Sequence, residues 1–124
     1  MDEDWNAVSR SVAPLGTMVE VRTGWRAQEA AVFTRMLDRD SVWTDRNGLR
    51  TLIPTLLQFN LEGYPFVLPD MIGGGNGFSD LAPAKELFVR WTQANVFMPA
   101  MQFSFAPWDY DQQVCTAKNG PIGS

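Results

Sequence analysis

Short apolar segments with strand character alternate with longer amphipathic ones along this chain, and that alternation leaves few architectures open. Met18-Val19-Glu20-Val21-Arg22 alternates apolar and polar residues at period two, as a strand does. Ala31 to Leu37 is a second strand candidate, followed by a polar, loop-like stretch from Asp38 to Gly48. Leu49, Leu52, Ile53, Leu56, Leu57 and Leu61 then recur at helical spacing. With Thr51 as N-cap, Pro54 falls in the first turn, where no intrahelical N–H bond is lost. Gly63 ends that helix, and Tyr64 to Pro69 reads as a strand buried on both faces. Gly73 to Gly77 is a flexible glycine-rich loop. Pro83 opens a further helix with Ala84, Leu87, Phe88, Trp91, Ala94, Asn95 and Met98 on one stripe. Pro99 closes it, and Ala100 to Phe105 is a last strand candidate. Ahead of all these, residues 5–15 form a short, weakly periodic helix ending at Pro14-Leu15-Gly16, while Thr116 to Ser124 should fray.

Strand, strand, helix, strand, helix, strand implies a parallel sheet covered by helices, an α/β fold. A doubly wound sheet and a (β/α)8 TIM barrel both fit. A whole barrel takes about 250 residues, and this chain has 124, so length alone favours the open sheet. Periodicity does not decide between them.

Composition narrows the chemistry. A formal net charge of −4 gives no electrostatic reason to expect nucleic acid or an acidic membrane as partner. Histidine is absent and Cys115 is the single cysteine, which removes Cys/His zinc sets, histidine-dependent triads and an intrachain disulfide. No metal and no cofactor is expected. The acidic opening Met1-Asp2-Glu3-Asp4-Trp5 lacks the pattern of a signal peptide, and no apolar stretch is long enough to span a bilayer. The compartment stays open.

In a parallel α/β fold the active site gathers at the carboxyl ends of the strands. Arg22, Asp38 and Asp70 end the first three strand candidates, and Ser104 lies near the end of the fourth. Each alone reads as a cap, a turn or a surface charge; their shared position argues for one site. A carboxyl group with an arginine and no metal set suits glycosidic cleavage, which uses two carboxyls and no cofactor. Aromatic faces suit sugars too. Trp25, Trp43, Tyr64 and Trp108 lie near these ends, although packing under the loops is the better explanation of each one.

Several segments in register resemble glycoside hydrolase family 31. Asp38-Arg39-Asp40-Ser41-Val42-Trp43, then Gly48 to Pro54, is similar to the family's acid/base segment. Gly63 to Gly74, with Asp70-Met71-Ile72-Gly73-Gly74, resembles its next strand, which usually ends Asp-Ile-Gly-Gly. Glu86-Leu87-Phe88-Val89-Arg90-Trp91 and Phe97-Met98-Pro99 resemble its Glu-Leu-x-x-Arg-Trp and Phe-x-Pro segments. The wording is most like an animal branch of the family, the myogenesis-regulating glycosidases. The resemblance covers about residues 16–112 and implies a partial TIM barrel, approximately strands five to eight. Residues 1–115 would form the second half of the catalytic barrel, and 116–124 a disordered tail.

The resemblance implies a retaining α-glycosidase with two aspartates. One, the nucleophile, has no counterpart segment here and would lie before Met1. The other, the acid/base, maps to Asp38. The family places a sugar-holding arginine sixteen residues before the acid and a tryptophan five after it, and Arg22 and Trp43 stand at those distances. Asp45 would put the arginine slot at Glu29. Asp40 is the reserve acid/base. Asp38 would enter the cycle protonated, protonate the leaving oxygen, then act as base toward water. Arg22, Asp70, Trp43 and Ser104 would contact the sugar.

Two departures bear on specificity. Arg35 replaces a tryptophan three before the acid, and Ser104 takes roughly the slot of a histidine after the eighth strand. They put α-glucosidase specificity in doubt, and the resemblance to the animal branch, itself similar to an α-galactosidase, implies an α-galactoside over an α-glucoside. The expected partners are an α-linked carbohydrate and the missing N-terminal half of the barrel. Expressed alone, the chain should be inactive and self-associate, because half a barrel exposes sheet edges and apolar surface. The competing reading is a non-catalytic sugar-binding or interaction module made from half a barrel.

Overall fold

A computed structural model describes residues 3–16, 18–22, 24–75 and 82–110. Within them a parallel three-stranded sheet contains β1 (Glu20–Val21), β2 (Phe33–Arg35) and β3 (Val67–Leu68), in that spatial order. Glu20 pairs with Phe33 and Val21 with Thr34; Thr34 pairs in turn with Val67, and Arg35 with Leu68. Chain order equals spatial order, so all three carboxyl ends open on one side.

The strands are shorter than the periodicity suggests, for local reasons. Pro65 and Pro69 bracket β3 and have no N–H to give to a ladder. Between β1 and β2 the chain makes successive turns instead of a helix, with the Ala27 N–H on Gly24 O and the Ala30 N–H on Ala27 O. The fourth strand candidate contributes a single parallel bridge, Phe103 to Ile72, with the Ile72 N–H donating to Gln102 O at 2.8 Å.

Three helices accompany the sheet: α1 (Glu3–Val12), α2 (Leu52–Leu61) and α3 (Lys85–Asn95). A 3-10 turn at Ala13–Leu15 carries Pro14 and extends α1 to the expected stop. Another, Leu49–Thr51, leads into α2. Thr51 does hold the N-cap position, but its hydroxyl donates to Gly48 O and accepts from Arg39 instead of capping the helix. At the far end Gly63, at φ 91°, lets the Tyr64 N–H reach Phe59 O and its own N–H reach Asn60 O. That is a Schellman-type stop, for which glycine is the unstrained residue.

The core lies between the helices and one face of the sheet: Met36, Val67 and Ile72 pack with Leu52 and Leu56 of α2 and with Leu87, Phe88 and Trp91 of α3. Burying each such side chain contributes about 1.5–3 kcal/mol. Leu87, Phe88, Trp91 and Asn95 of α3 are buried where their spacing predicts, whereas Ala84, at the N-cap, is exposed. The broad apolar stripe of α2 splits, with Leu52 and Leu56 buried and Ile53, Leu57 and Leu61 exposed. Likewise Val67, Leu68 and Pro69 are buried, whereas Phe66 is half exposed and meets Phe33 with ring centres 5.8 Å apart. The expectation of a strand covered on both faces therefore fails at Phe66. Among the described residues, no helix is long and apolar enough to cross a membrane. The tail at 116–124 and the end of the glycine-rich loop, Asn76-Gly77, lie outside the described residues.

Candidate active site

Arg22 follows β1 directly, Asp38 comes three residues after β2, and Asp70 two residues after β3. Parallel pairing therefore delivers all three to one edge of the sheet. Arg22 Nη2 donates to Asp38 Oδ1 at 2.7 Å, and both side chains are about half exposed, at 51% and 52%. Water and a ligand at this mouth can therefore reach both the carboxylate and the guanidinium.

Asp70 is different in kind. It has no exposed surface, and both oxygens are occupied: Oδ1 accepts from Arg35 Nη2 at 2.9 Å and Oδ2 from the Arg39 N–H at 2.5 Å. Arg35 stands in the middle of the site. Its Nη1 donates to Glu20 Oε1 at 3.3 Å, and its Nη2 lies 3.8 Å from Asp38 Oδ1. Burial acts against the charge on Arg35, but hydrogen bonding and charge attraction from Asp70, then Glu20, more than offset it and raise its pKa further above the ordinary range. For Arg39 burial wins over attraction to Asp70 and the pKa falls. Both remain cations at neutral pH.

The loop carrying Asp38 is ordered by hydrogen bonds. Asn47 Nδ2 donates to the Asp38 carbonyl at 3.1 Å, and the Asp40 N–H donates to Asn47 O at 3.0 Å. The Arg39 guanidinium turns inward, to Thr51 Oγ1 at 2.7 Å and Asn47 Oδ1 at 3.4 Å. Gly74 supports the loop from below. At φ 77°, a Cβ there would come within 2.9 Å of the Arg39 carbonyl oxygen. Gly48 closes the loop on itself, since a Cβ would sit 2.3 Å from Val42 O.

Trp43 is exposed in the same loop, and Asp40 and Asp45 are exposed as well. Ser104 is exposed one residue beyond the Phe103 bridge and shares no hydrogen bond with Arg22, Asp38 or Asp70 among the described residues. Of the four aromatic candidates, Tyr64 is buried with its hydroxyl on Gly24 O, while Trp25, Trp43 and Trp108 are exposed. A cavity of about 330 Å³ opens beside the cluster, lined in part by Arg22, Trp25, Arg35, Leu37 and Tyr64. A larger one of about 560 Å³ lies at the opposite, amino ends of the strands, against Met18, Val32 and Phe66. It carries no ionisable lining and belongs to unfilled packing rather than to chemistry. Among the described residues no three metal-ligating side chains cluster.

Residues 17–119 match the TIM-barrel domain of the glycosyl hydrolases family 31. The chain belongs to that family. It is 49% identical over 108 residues to the myogenesis-regulating glycosidase of Mus musculus, which covers 82% of this chain and 15% of that protein. It is 40% identical over 111 residues to the SITS-binding protein of Tetronarce californica, covering 90% of this chain and 16% of that protein. The lysosomal alpha-glucosidase of Rattus norvegicus is 42% identical over 62 residues, 49% of this chain and 6% of that protein. The family 31 chain thus spans less than a fifth of the length of the curated relatives it matches.

Two members of this cluster, Arg35 and Arg39, stand apart from the residues that spacing singles out. Arg35 is visible in the sequence only as a substituted tryptophan, and its three carboxylate neighbours come from three separate segments. Arg39 sits inside the segment Asp38 to Trp43, yet its inward guanidinium has no one-dimensional signature. In the strand candidate Ala31 to Leu37 the substituted position, Arg35, is also the one charged residue.

Proposed function

We propose that this chain is the part of a retaining α-glycosidase barrel that supplies the general acid/base, Asp38, with α-galactosides preferred over α-glucosides. The single observation behind the assignment is the 2.7 Å pair between Arg22 and Asp38 at a solvent-open strand end. Asp38 would protonate the glycosidic oxygen and later take a proton from water, which a half-exposed carboxyl on an ordered loop is suited to do. Arg22 would leave Asp38 for the sugar hydroxyls when substrate enters. Trp43 and Ser104 would form part of the sugar wall, and Asp40 is the reserve acid. Asp70, with no free oxygen, would serve by holding Arg35 and the Arg39 backbone. The strands correspond to about five to eight of the barrel. The nucleophile carboxylate would come from the remaining half, about 5–5.5 Å from Asp38 in a retaining geometry.

The test is Asp38→Asn in the full-length gene product. Turnover of alkyl α-galactosides should fall by about 10²–10⁴-fold, the usual weight of acid/base assistance, while aryl glycosides of acidic phenols lose far less. Equal losses on both substrate classes would remove Asp38 from the acid role.

The second reading, a non-catalytic interaction module, draws on the uncovered apolar residues Leu37, Ile53, Leu57 and Phe66. Calorimetric titration of the purified chain with galactose and glucose derivatives distinguishes a sugar-binding module from one that binds none.

A further inference from the structure

We propose that Arg35 is a positioning residue for Asp38, holding the proton donor in place once substrate has drawn Arg22 away. This rests on Asp38 being the acid/base.

The two guanidinium groups at Asp38 are held very differently. Arg22 is half exposed, and Asp38 is its one side-chain hydrogen-bond partner among the described residues. Arg35 is only 11% exposed and is fixed through both of its terminal nitrogens, Nη1 on Glu20 and Nη2 on Asp70. Those anchors lie on β1 and just after β3, so the guanidinium links the two neighbours of its own strand. Asp70 cannot yield. It is fully buried and its other oxygen holds the Arg39 N–H, the residue next to Asp38. Arg35 Nη2 sits 3.8 Å from Asp38 Oδ1, beyond a hydrogen bond but within charge contact.

A ligand that takes Arg22 leaves Asp38 with one close cation, itself anchored by Glu20 and Asp70. A short shift of the carboxyl toward Arg35 then replaces the lost contact at Oδ1 and leaves Oδ2 to carry the proton. Arg35 needs no contact with sugar to do this. It acts by fixing the direction of the carboxyl relative to the scissile oxygen, and small misplacements of a catalytic group carry large rate penalties.

The experiment uses the full-length protein and a series of aryl α-galactosides whose phenols run from strongly to weakly acidic. Arg35→Met should lower kcat/KM by about 10–100-fold for the weakly acidic phenols and by only a few-fold for the most acidic, since only the former need a proton delivered on target. Arg35→Lys, which keeps charge but cannot bridge Glu20 and Asp70, should fall between. Glu20→Gln, which loosens one anchor, should tilt the series the same way by less. A loss that is uniform across the phenols in all three variants means that Arg35 merely supports the fold, and overturns the proposal. Asp38→Asn run in parallel separates the two failures. A tilted series for Asp38→Asn with uniform losses for the Arg35 variants sinks the positioning role alone, and a uniform loss for Asp38→Asn sinks the acid assignment with it.

Discussion

Replacing Asp70 by asparagine should destabilise the chain more than any other single-atom change near the site. The carboxylate has no exposed surface, and it neutralises Arg35 at 2.9 Å while accepting the Arg39 N–H. Breaking a buried ion pair from one side typically costs about 3–5 kcal/mol, because the surviving charge is left uncompensated. Here Arg35 keeps Glu20 at 3.3 Å and an amide oxygen can still take the Arg39 N–H, so the lower end applies, about 3 kcal/mol. A double-mutant cycle isolates the pair. Arg35→Met removes the other charge, and Asp70→Asn in that background should cost about 1–3 kcal/mol less than in the parent, a coupling expected of groups in direct contact. The assay is urea unfolding followed by tryptophan fluorescence, with all four proteins at one concentration so that any self-association enters equally. Additivity to within about 0.5 kcal/mol would show that Asp70 and Arg35 do not sustain each other, and the picture of Arg35 as an anchored cation would go.

Two neighbouring glycines should respond in opposite ways. Gly74→Ala meets a φ of 77° and the Arg39 carbonyl, so it should cost more than about 1 kcal/mol in the same urea assay, whereas Gly75→Ala meets only the movable end of Met71 and should be tolerated. The isolated chain should self-associate through apolar residues left uncovered, including Leu37, Leu57 and Phe66, and sedimentation velocity should find oligomers that Leu57→Lys reduces. A monodisperse parent chain at high concentration contradicts that expectation.

Much of this arrangement is legible in one dimension because its parts obey short-range rules. The spacing of Leu87, Phe88, Trp91 and Asn95 marks the buried face of α3, and all four are buried. Gly63 marks the end of α2 because the stop needs a positive φ. Arg22 and Asp38, sixteen apart, meet at 2.7 Å since they follow two adjacent parallel strands. What escaped reading depends on the third dimension. The apolar stripe of α2 is as hydrophobic at Leu57 as at Leu56, and only the number of surfaces available decides which is covered. Asp70 looked like a residue of the mouth, as Arg22 does, but the partners that draw it fully inward, Arg35 and the Arg39 backbone, lie on a different strand and loop. Thr51 stands at the N-cap position, as spacing predicts, yet its hydroxyl serves the Arg39 guanidinium instead of the helix.

The most direct measurement follows Asp38→Ala of the full-length protein on an activated aryl α-galactoside, with and without sodium azide. Without its carboxylate base, the glycosyl-enzyme should accumulate, and azide, which needs no deprotonation, should speed turnover and yield an α-galactosyl azide with retained configuration. A rate indifferent to azide, with only free sugar formed as in the parent enzyme, would mean that Asp38 handles no proton in the reaction.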